Sequence, residues 1–324
     1  MRGVGRRPLL AGLGAAIAGP AAAQGQEWRP DRPIRMILPN GAGSGADIVA
    51  RALAQKLSGI LGQSVVVDNQ PQGVGAVGIL AAARARPDGQ TLMCAISSIL
   101  LAPLVDPSLA YDVRSFIPVS QVHQAATVLC VSPQVPARSF TDFVALARTT
   151  PERFTLATYG HGTASHVHAA LLSRRARLGV EVIHYSNGPT AIRDMAADHI
   201  RCAFLDSGSG IGSFRDGQLR PLAVSGRRRL GVLPDVPSFG ELGFPGFEPA
   251  IWQAVFLPLN TPAPIVGTIA AAVRNAVATP ELSERLRNIG FEPVGGTSQE
   301  LAAMLIAERA TWASTIAETG IRPA

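Results

Sequence analysis

Two α/β lobes are the fold class this sequence predicts, and three observations predict it. Short apolar runs of strand character alternate with segments of helical period. The alternation restarts near residue 123, so one β-α-β series follows another. Hydrophobic residues make up 47% of the 324 residues and charged residues 16%, which supplies a sizeable core and argues against wholesale disorder. No long linker or low-complexity tract divides the chain, so more than one crossover should join the lobes.

The first 23 residues read as a targeting segment. Arg2, Arg6 and Arg7 give a basic start, Leu9 to Gly19 a short apolar stretch, and Ala21-Ala22-Ala23 a small-residue cleavage site before Gln24. Such a stretch reaches about 16 Å as a helix, too short for a bilayer core. RRPLL also resembles a twin-arginine signal. No cysteine precedes Cys94, which rules out a lipoprotein anchor at that cleavage site. The mature chain should therefore begin near Gln24 and be exported, with its formal charge lowered from +6 to +3.

The first lobe opens with 33–38 (PIRMIL), a buried strand, then a Gly-rich loop from Asn40 to Ala46. A helix over 47–61 should place Val49, Leu53, Leu57 and Ile60 on one face. A strand at 64–67, a helix at 77–85 and a strand at 91–95 complete a repeated β-α-β order, which implies a parallel sheet covered by helices. Nothing is assigned over 111–121. After it, 127–131 reads as a strand and Ser139-Phe140-Thr141-Asp142 as a helix start with capping-box character. Strands at 154–157, 180–183, 200–205 and 221–224 follow, separated by helices from Ser165, Thr190 and Ile211. The last hundred residues supply a strand at 251–257 and helices from Pro264, Pro280 and Ser298. Proline at a helix start costs little, because the missing N–H is unpaired there anyway.

Composition excludes several classes of function. Aromatics reach only 5%, and Lys56 is the only lysine, so a stacking platform or a lysine-rich tail for nucleic acid is unsupported. The clusters Arg174-Arg175 with Arg177, and Arg227-Arg228-Arg229, read as solvated helix ends or turns. Cys94, Cys130 and Cys202 sit in apolar strand-like runs, match no zinc or CxxC spacing, and are expected to be buried small hydrophobes. His166 and His168 lie two apart on a helix and point to different sides, so no shared metal is expected there. No cofactor motif stands out.

Two loops carry the functional signal. Asn40 to Asp47 (NGAGSGAD) and Tyr159 to His166 (YGHGTASH) occupy equivalent positions, each between a strand end and a helix start. Small residues let backbone N–H groups approach a ligand, and each helix start adds unpaired donors and partial positive charge. Open α/β sheets bind ligands beyond the carboxyl ends of their strands, where both loops lie. A small anion clamped between them is the expectation. Two rival readings are weaker. GAGSGA is only a loose relative of a dinucleotide fingerprint, in a chain bound for export. HGTASH could make Ser165 the nucleophile of a hydrolase, but it is not G-x-S-x-G and nothing places an acid to orient His161, His166 or His184.

The segments PIRMILPNGAGSGADIVARALAQKL, DNQPQGVGAVG, TYGHGTASHVHAALL, GVLPDVPSFGELGFPGFE and FEPVGGTSQEL, in this order, resemble the tripartite tricarboxylate transporter substrate-binding proteins, the Bug family. The similarity runs from about Trp28 to Ile321. It implies a two-lobed periplasmic-binding-protein fold, type II-like, a Venus flytrap with the ligand cleft between its lobes. The second lobe, 123–226, would be inserted into a first lobe made of 28–122 and 227–324. It implies capture of a small carboxylate for delivery to membrane transporter subunits, by a monomer, without catalysis; a sensor role would use the same cleft. The resemblance assigns Gly43, Ser44, Gly45, Ala46 and Asp47 to the first ligand loop and Gly162, Thr163, Ala164 and Ser165 to the second. It adds Ser97 and Ser98 after a strand and Asp206 at a strand end. Asn40 replaces a usual aromatic, Ser44 a usual Gly, and Ser186-Asn187 a usual basic residue and Gly; Asn187 stays in the expected ligand set. From the residues themselves, Asp47 reads as an N-cap that organises its loop, Asp206 as a helix cap before an amine partner, and Trp252 as core or cleft wall.

Overall fold

Walking the chain through the computed structural model, which describes residues 28–248 and 251–321, gives three runs of elements. The expected targeting segment, 1–23, lies outside the described residues. The first run is β1 (Ile34–Leu38), α1 (Gly45–Leu61), β2 (Val65–Asn69), α2 (Ala76–Ala83), β3 (Thr91–Ile96), α3 (Ser98–Val105) and β4 (Phe116–Ala125). The second is β5 (Thr127–Val131), α4 (Phe140–Thr149), β6 (Thr155–Thr158), α5 (Ala164–Arg175), β7 (Glu181–His184), α6 (Gly188–Ala196), β8 (Cys202–Asp206), α7 (Ser207–Arg215) and β9 (Arg220–Val224). The third is β10 (Ile251–Pro258), α8 (Ala263–Ala278), α9 (Pro280–Asn288), β11 (Glu292–Pro293) and α10 (Ser298–Thr319).

These strands form two sheets, ordered β11-β4-β10-β3-β1-β2 and β7-β6-β8-β5-β9. The purely parallel sheet expected from β-α-β order is corrected: both sheets are mixed. β1 pairs in parallel with β2 and β3, but β10 inserts between β3 and β4, antiparallel to both. β5 likewise runs antiparallel to β8 and β9. The cause is the route of the chain, which leaves the first sheet at Ala126 and returns to it only at β10. A strand that returns from another lobe need not enter in the parallel sense of a local crossover.

The apolar period of α1 buries Val49, Leu53 and Leu57 as expected, whereas Ile60 is 43% exposed. Ile60 lies in the last turn, just before Gly62 closes the helix in the left-handed conformation. α4 starts with the expected capping box, Ser139 and Asp142 bonding reciprocally. Two elements escaped the sequence reading. α3 (SILLAPLV) is apolar all round and holds Pro103, so it shows no helical period. β4 carries Pro118 and the buried polar residues Ser120, Gln121 and His123, so its alternation is hidden. Its polar groups find partners on neighbouring segments: the Ser120 hydroxyl donates to the Gly296 carbonyl at 2.6 Å.

The second sheet carries an aromatic core in which Phe239 and Phe247 stack at 4.0 Å, with Phe204 of β8 beside them. The lobes also share packing. Ala164 and Val167 of α5 join a cluster with Leu301, Leu305 and Trp312 of α10. Arg175 grips Glu318 through two hydrogen bonds of 2.8 Å each. The cysteines are buried and free, as expected, and burial pushes the Cys94 thiol up to about 12.

Candidate ligand-binding site

Between the two sheets lies a cavity of about 660 Å³, lined by residues from both lobes. That volume suits a small organic ligand. Five helix starts border it, and their cap residues Ser44 (α1), Ser97 (α3), Thr163 (α5), Asn187 (α6) and Asp206 (α7) all line the wall. The sequence had pointed to two Gly-rich helix starts; folding brings three more beside them.

The first loop is built from within. Ser44 caps α1, its hydroxyl accepting the Asp47 N–H at 3.3 Å. Asp47 is therefore not the N-cap expected, but the third helical residue, and it is buried behind the wall. Its carboxylate accepts the Gly43 N–H at 2.9 Å, Arg51 Nε at 3.0 Å and Asn69 Nδ2 at 2.9 Å. Burial opposes its charge, but Arg51, Gly43 and Asn69 outweigh that and hold the carboxyl below its usual range. The Gly43 N–H is thereby engaged inside the loop, and Gly43 needs its glycine for a φ of +77°. Gly45 and Ala46, the first two helical residues, keep the N–H groups that a helix leaves unpaired, and both line the cavity.

The second loop follows the same logic. The Thr163 hydroxyl donates to the Gly160 carbonyl at 2.7 Å. The Ser165 hydroxyl meets Thr163 Oγ1 at 2.9 Å and accepts the Tyr159 N–H at 3.1 Å. Ser165 is fully buried and, like Gly162, does not line the cavity. Gly162 has φ +68°, and a Cβ there would lie 3.1 Å from the Ala102 backbone of α3. Its glycine thus serves a close approach between lobes. Replacing Ser165 by alanine should cost about 1 kcal/mol of stability by freeing the Tyr159 N–H, with less than a tenfold change in ligand affinity. Urea melts and ligand titrations on the same variant check both halves.

The remaining expected residues fall on the wall. Ser97, Ser98, Thr163, Ala164, Asn187 and Asp206 line the cavity together with Gly43 to Ala46. Asn187 caps α6, accepting the Thr190 N–H at 3.0 Å. Asp206 caps α7, taking the Ser209 N–H at 2.8 Å and its hydroxyl at 2.6 Å. Burial pushes the Asp206 carboxyl up, against those hydrogen bonds. A carboxylate at the α7 start repels an anion, so the starts of α1, α3, α5 and α6 are the favourable ones. Trp252 belongs to the core, its Nε1 donating to Glu308 at 2.8 Å, while its neighbours Ile251 and Gln253 face the cavity.

Several wall residues were invisible to sequence reasoning. Among the described residues that line the cavity, Arg193 is the one Arg or Lys. Its signal was its place three residues after Thr190, on the same face of α6. His123 and Gln253 meet at 3.2 Å across β4 and β10, and the Gln253 amide fixes the Ala46 carbonyl at 3.0 Å. His123 also stacks on Phe291 at 4.2 Å. Asn40 Oδ1 and His123 Nδ1 are buried on this wall without a partner among the described residues.

Burial lowers the His123 pKa to about 4, although Gln253 and the Gln124 backbone resist the shift. A depressed pKa means that its contribution to stability is intact above the unfolded value near 6.5 and is lost as pH falls from there toward 4. By pH 5 this group alone should remove about 2 kcal/mol. His123→Gln should flatten that acid limb in urea melts at pH 7 and pH 5.

Comparison with known proteins agrees with this geometry. The pattern of the family described as "Tripartite tricarboxylate transporter family receptor" matches residues 49–321. The chain is 31% identical to Protein BugT of Bordetella pertussis, over 97% of this chain and 98% of that one. A Rhodopseudomonas palustris protein solved with adipate shares 28% identity and a TM-score of 0.85, covering 91% of this chain and 99% of that one. A second protein of that organism, solved with bound malate, shares 25% identity and a TM-score of 0.81, over 89% and 99%. The two-lobed periplasmic-binding-protein fold and the match across most of its length place this chain in the tripartite tricarboxylate transporter receptor family.

Proposed function

We propose that this protein captures a small carboxylate in the interlobe cavity and hands it to membrane transporter subunits. One observation carries the reading: several helix starts, from both lobes, converge on a single cavity. Micromolar affinity needs about 8 kcal/mol. A helix terminus contributes roughly 0.3–2 kcal/mol and a charge-assisted hydrogen bond about 1.5–3, so convergence of several donors is what makes such affinity reachable. Arg193 supplies a partner for a second carboxylate, in keeping with the dicarboxylates bound by the two Rhodopseudomonas palustris proteins.

We further propose that the protein works as an exported monomer after loss of 1–23. The two sheets support a second lobe near 123–226 set into a first lobe of 28–122 and 227–324, with two margins. His123 to Ala125 finish β4 of the first sheet, and Phe239 and Phe247 pack in the core of the second. Binding is favoured over hydrolysis because Ser165, the nucleophile a hydrolase would use, is buried and committed to its own loop. Thermal-shift screening of mono-, di- and tricarboxylates checks the reading: at least one should raise Tm reversibly and without turnover. Silence across the whole set from folded protein would overturn it.

A further inference from the structure

We propose that His161, His166 and His184 form a three-imidazole site for a borderline divalent transition-metal ion of the Zn²⁺, Ni²⁺ or Cu²⁺ class, in the second-lobe wall of the cavity. The three rings come from three segments: the loop after β6, the first turn of α5 and the end of β7. One nitrogen from each lies within 4.8 Å of the others. The ring centres are 4.7 Å apart for His161 and His166, 5.4 Å for His161 and His184, and 4.3 Å for His166 and His184. Nitrogens sharing one ion at about 2.0–2.1 Å sit roughly 3.3 Å apart, so side-chain shifts of about 1 Å close the site.

The surroundings of each ring suit a ligand. Thr158 Oγ1 donates to the Ile183 carbonyl at 3.3 Å and therefore accepts from His184 Nδ1–H at 2.6 Å. That leaves His184 Nε2 unprotonated, the arrangement in which an outer hydrogen bond orients a metal-binding imidazole. His161 makes no hydrogen bond among the described residues, and it lines the cavity. His166 Nδ1 accepts only the Gly162 N–H, at 3.2 Å, and exchanges that long bond for the ion. Imidazoles without thiolates or carboxylates favour zinc, nickel and copper over magnesium and calcium. His161 lines the cavity, so a carboxylate oxygen bound there could complete the sphere. No motif marks this cluster in the sequence, because the three histidines come from separate segments and meet only in the fold.

This goes beyond the carboxylate reading, and its test needs no carboxylate. Untagged, chelator-stripped protein is titrated with Co²⁺, whose visible absorption reports nitrogen coordination, and with Zn²⁺ and Ni²⁺ in equilibrium dialysis. One ion per chain is expected. His161→Ala and His184→Ala, neither of them at a buried position, should each weaken binding by more than about tenfold, since even outer-shell losses cost that much. His199→Ala, at an exposed histidine outside the cluster, should leave it unchanged. Melting in chelator confirms that each variant is folded. Uptake of one ion at wild-type affinity by the His161→Ala/His184→Ala double variant would overturn the proposal, as would no uptake by folded wild-type protein.

Discussion

Trp312→Ala should lower the folding stability by about 3–5 kcal/mol, the range for emptying an aromatic site in a packed core. Trp312 is 1% exposed on α10 and shares a cluster with Leu301, Leu305 and Ile316 of its own helix and Val167 of α5. Its ring stands 5.5 Å from His168, which belongs to the other lobe. Two features keep the cost high. The walls of the hole would be α5 and α10, each fixed to a different sheet, so neither can slide in to fill it. Trp312 also hydrogen-bonds the buried Glu308 carboxyl, so its loss leaves that group with one partner fewer, next to His168 Nε2, which already has none among the described residues. Urea melts should show a lower midpoint with an unchanged slope, since the surface exposed on unfolding is nearly the same. A loss below about 1 kcal/mol would mean that the packing between α5 and α10 is not part of the cooperative core.

Much of this architecture was legible because its signals are local. Apolar runs such as PIRMIL become β1, and Ser139 with Asp142 starts α4 by reciprocal bonds within four residues. The two Gly-rich loops were legible for the same reason, since a strand end, small residues and a helix start are contiguous. What failed was each role that depends on direction or on distant chain. Ser165 was expected at the ligand but turns inward to tie down its own loop, while Asp47 organises its loop as its residue type suggested, from the third helical position and not from the cap. From sequence, a polar side chain that serves the loop cannot be told from one that serves the ligand. His123 and Gln253 are 130 residues apart and become neighbours only because β10 returns beside β4. The mixed sheets have the same origin, since the sense of a returning strand is decided by the whole route of the chain.

Gly45→Trp should weaken binding of whichever carboxylate stabilises the wild-type protein by at least about a thousandfold, or roughly 4 kcal/mol. Gly45 is the first residue of α1 and lines the cavity, and its N–H is one of the two donors that the first loop leaves open. Its backbone is not in the left-handed region, and a Cβ added there meets only Phe291 Cζ, at 4.0 Å. A side chain at this position is therefore accommodated by the fold and directed into ligand space. Gly45→Ala isolates the effect, because it adds the Cβ without filling the cavity, and its affinity should stay within about tenfold of wild type. Both variants should fold with stabilities within about 1 kcal/mol of wild type, since nothing in the core is disturbed. Calorimetric titration alongside urea melts separates blocked binding from damaged folding. If Gly45→Trp binds within tenfold of wild type, the ligand does not sit against the start of α1, and convergence of helix starts on this cavity is not what holds it.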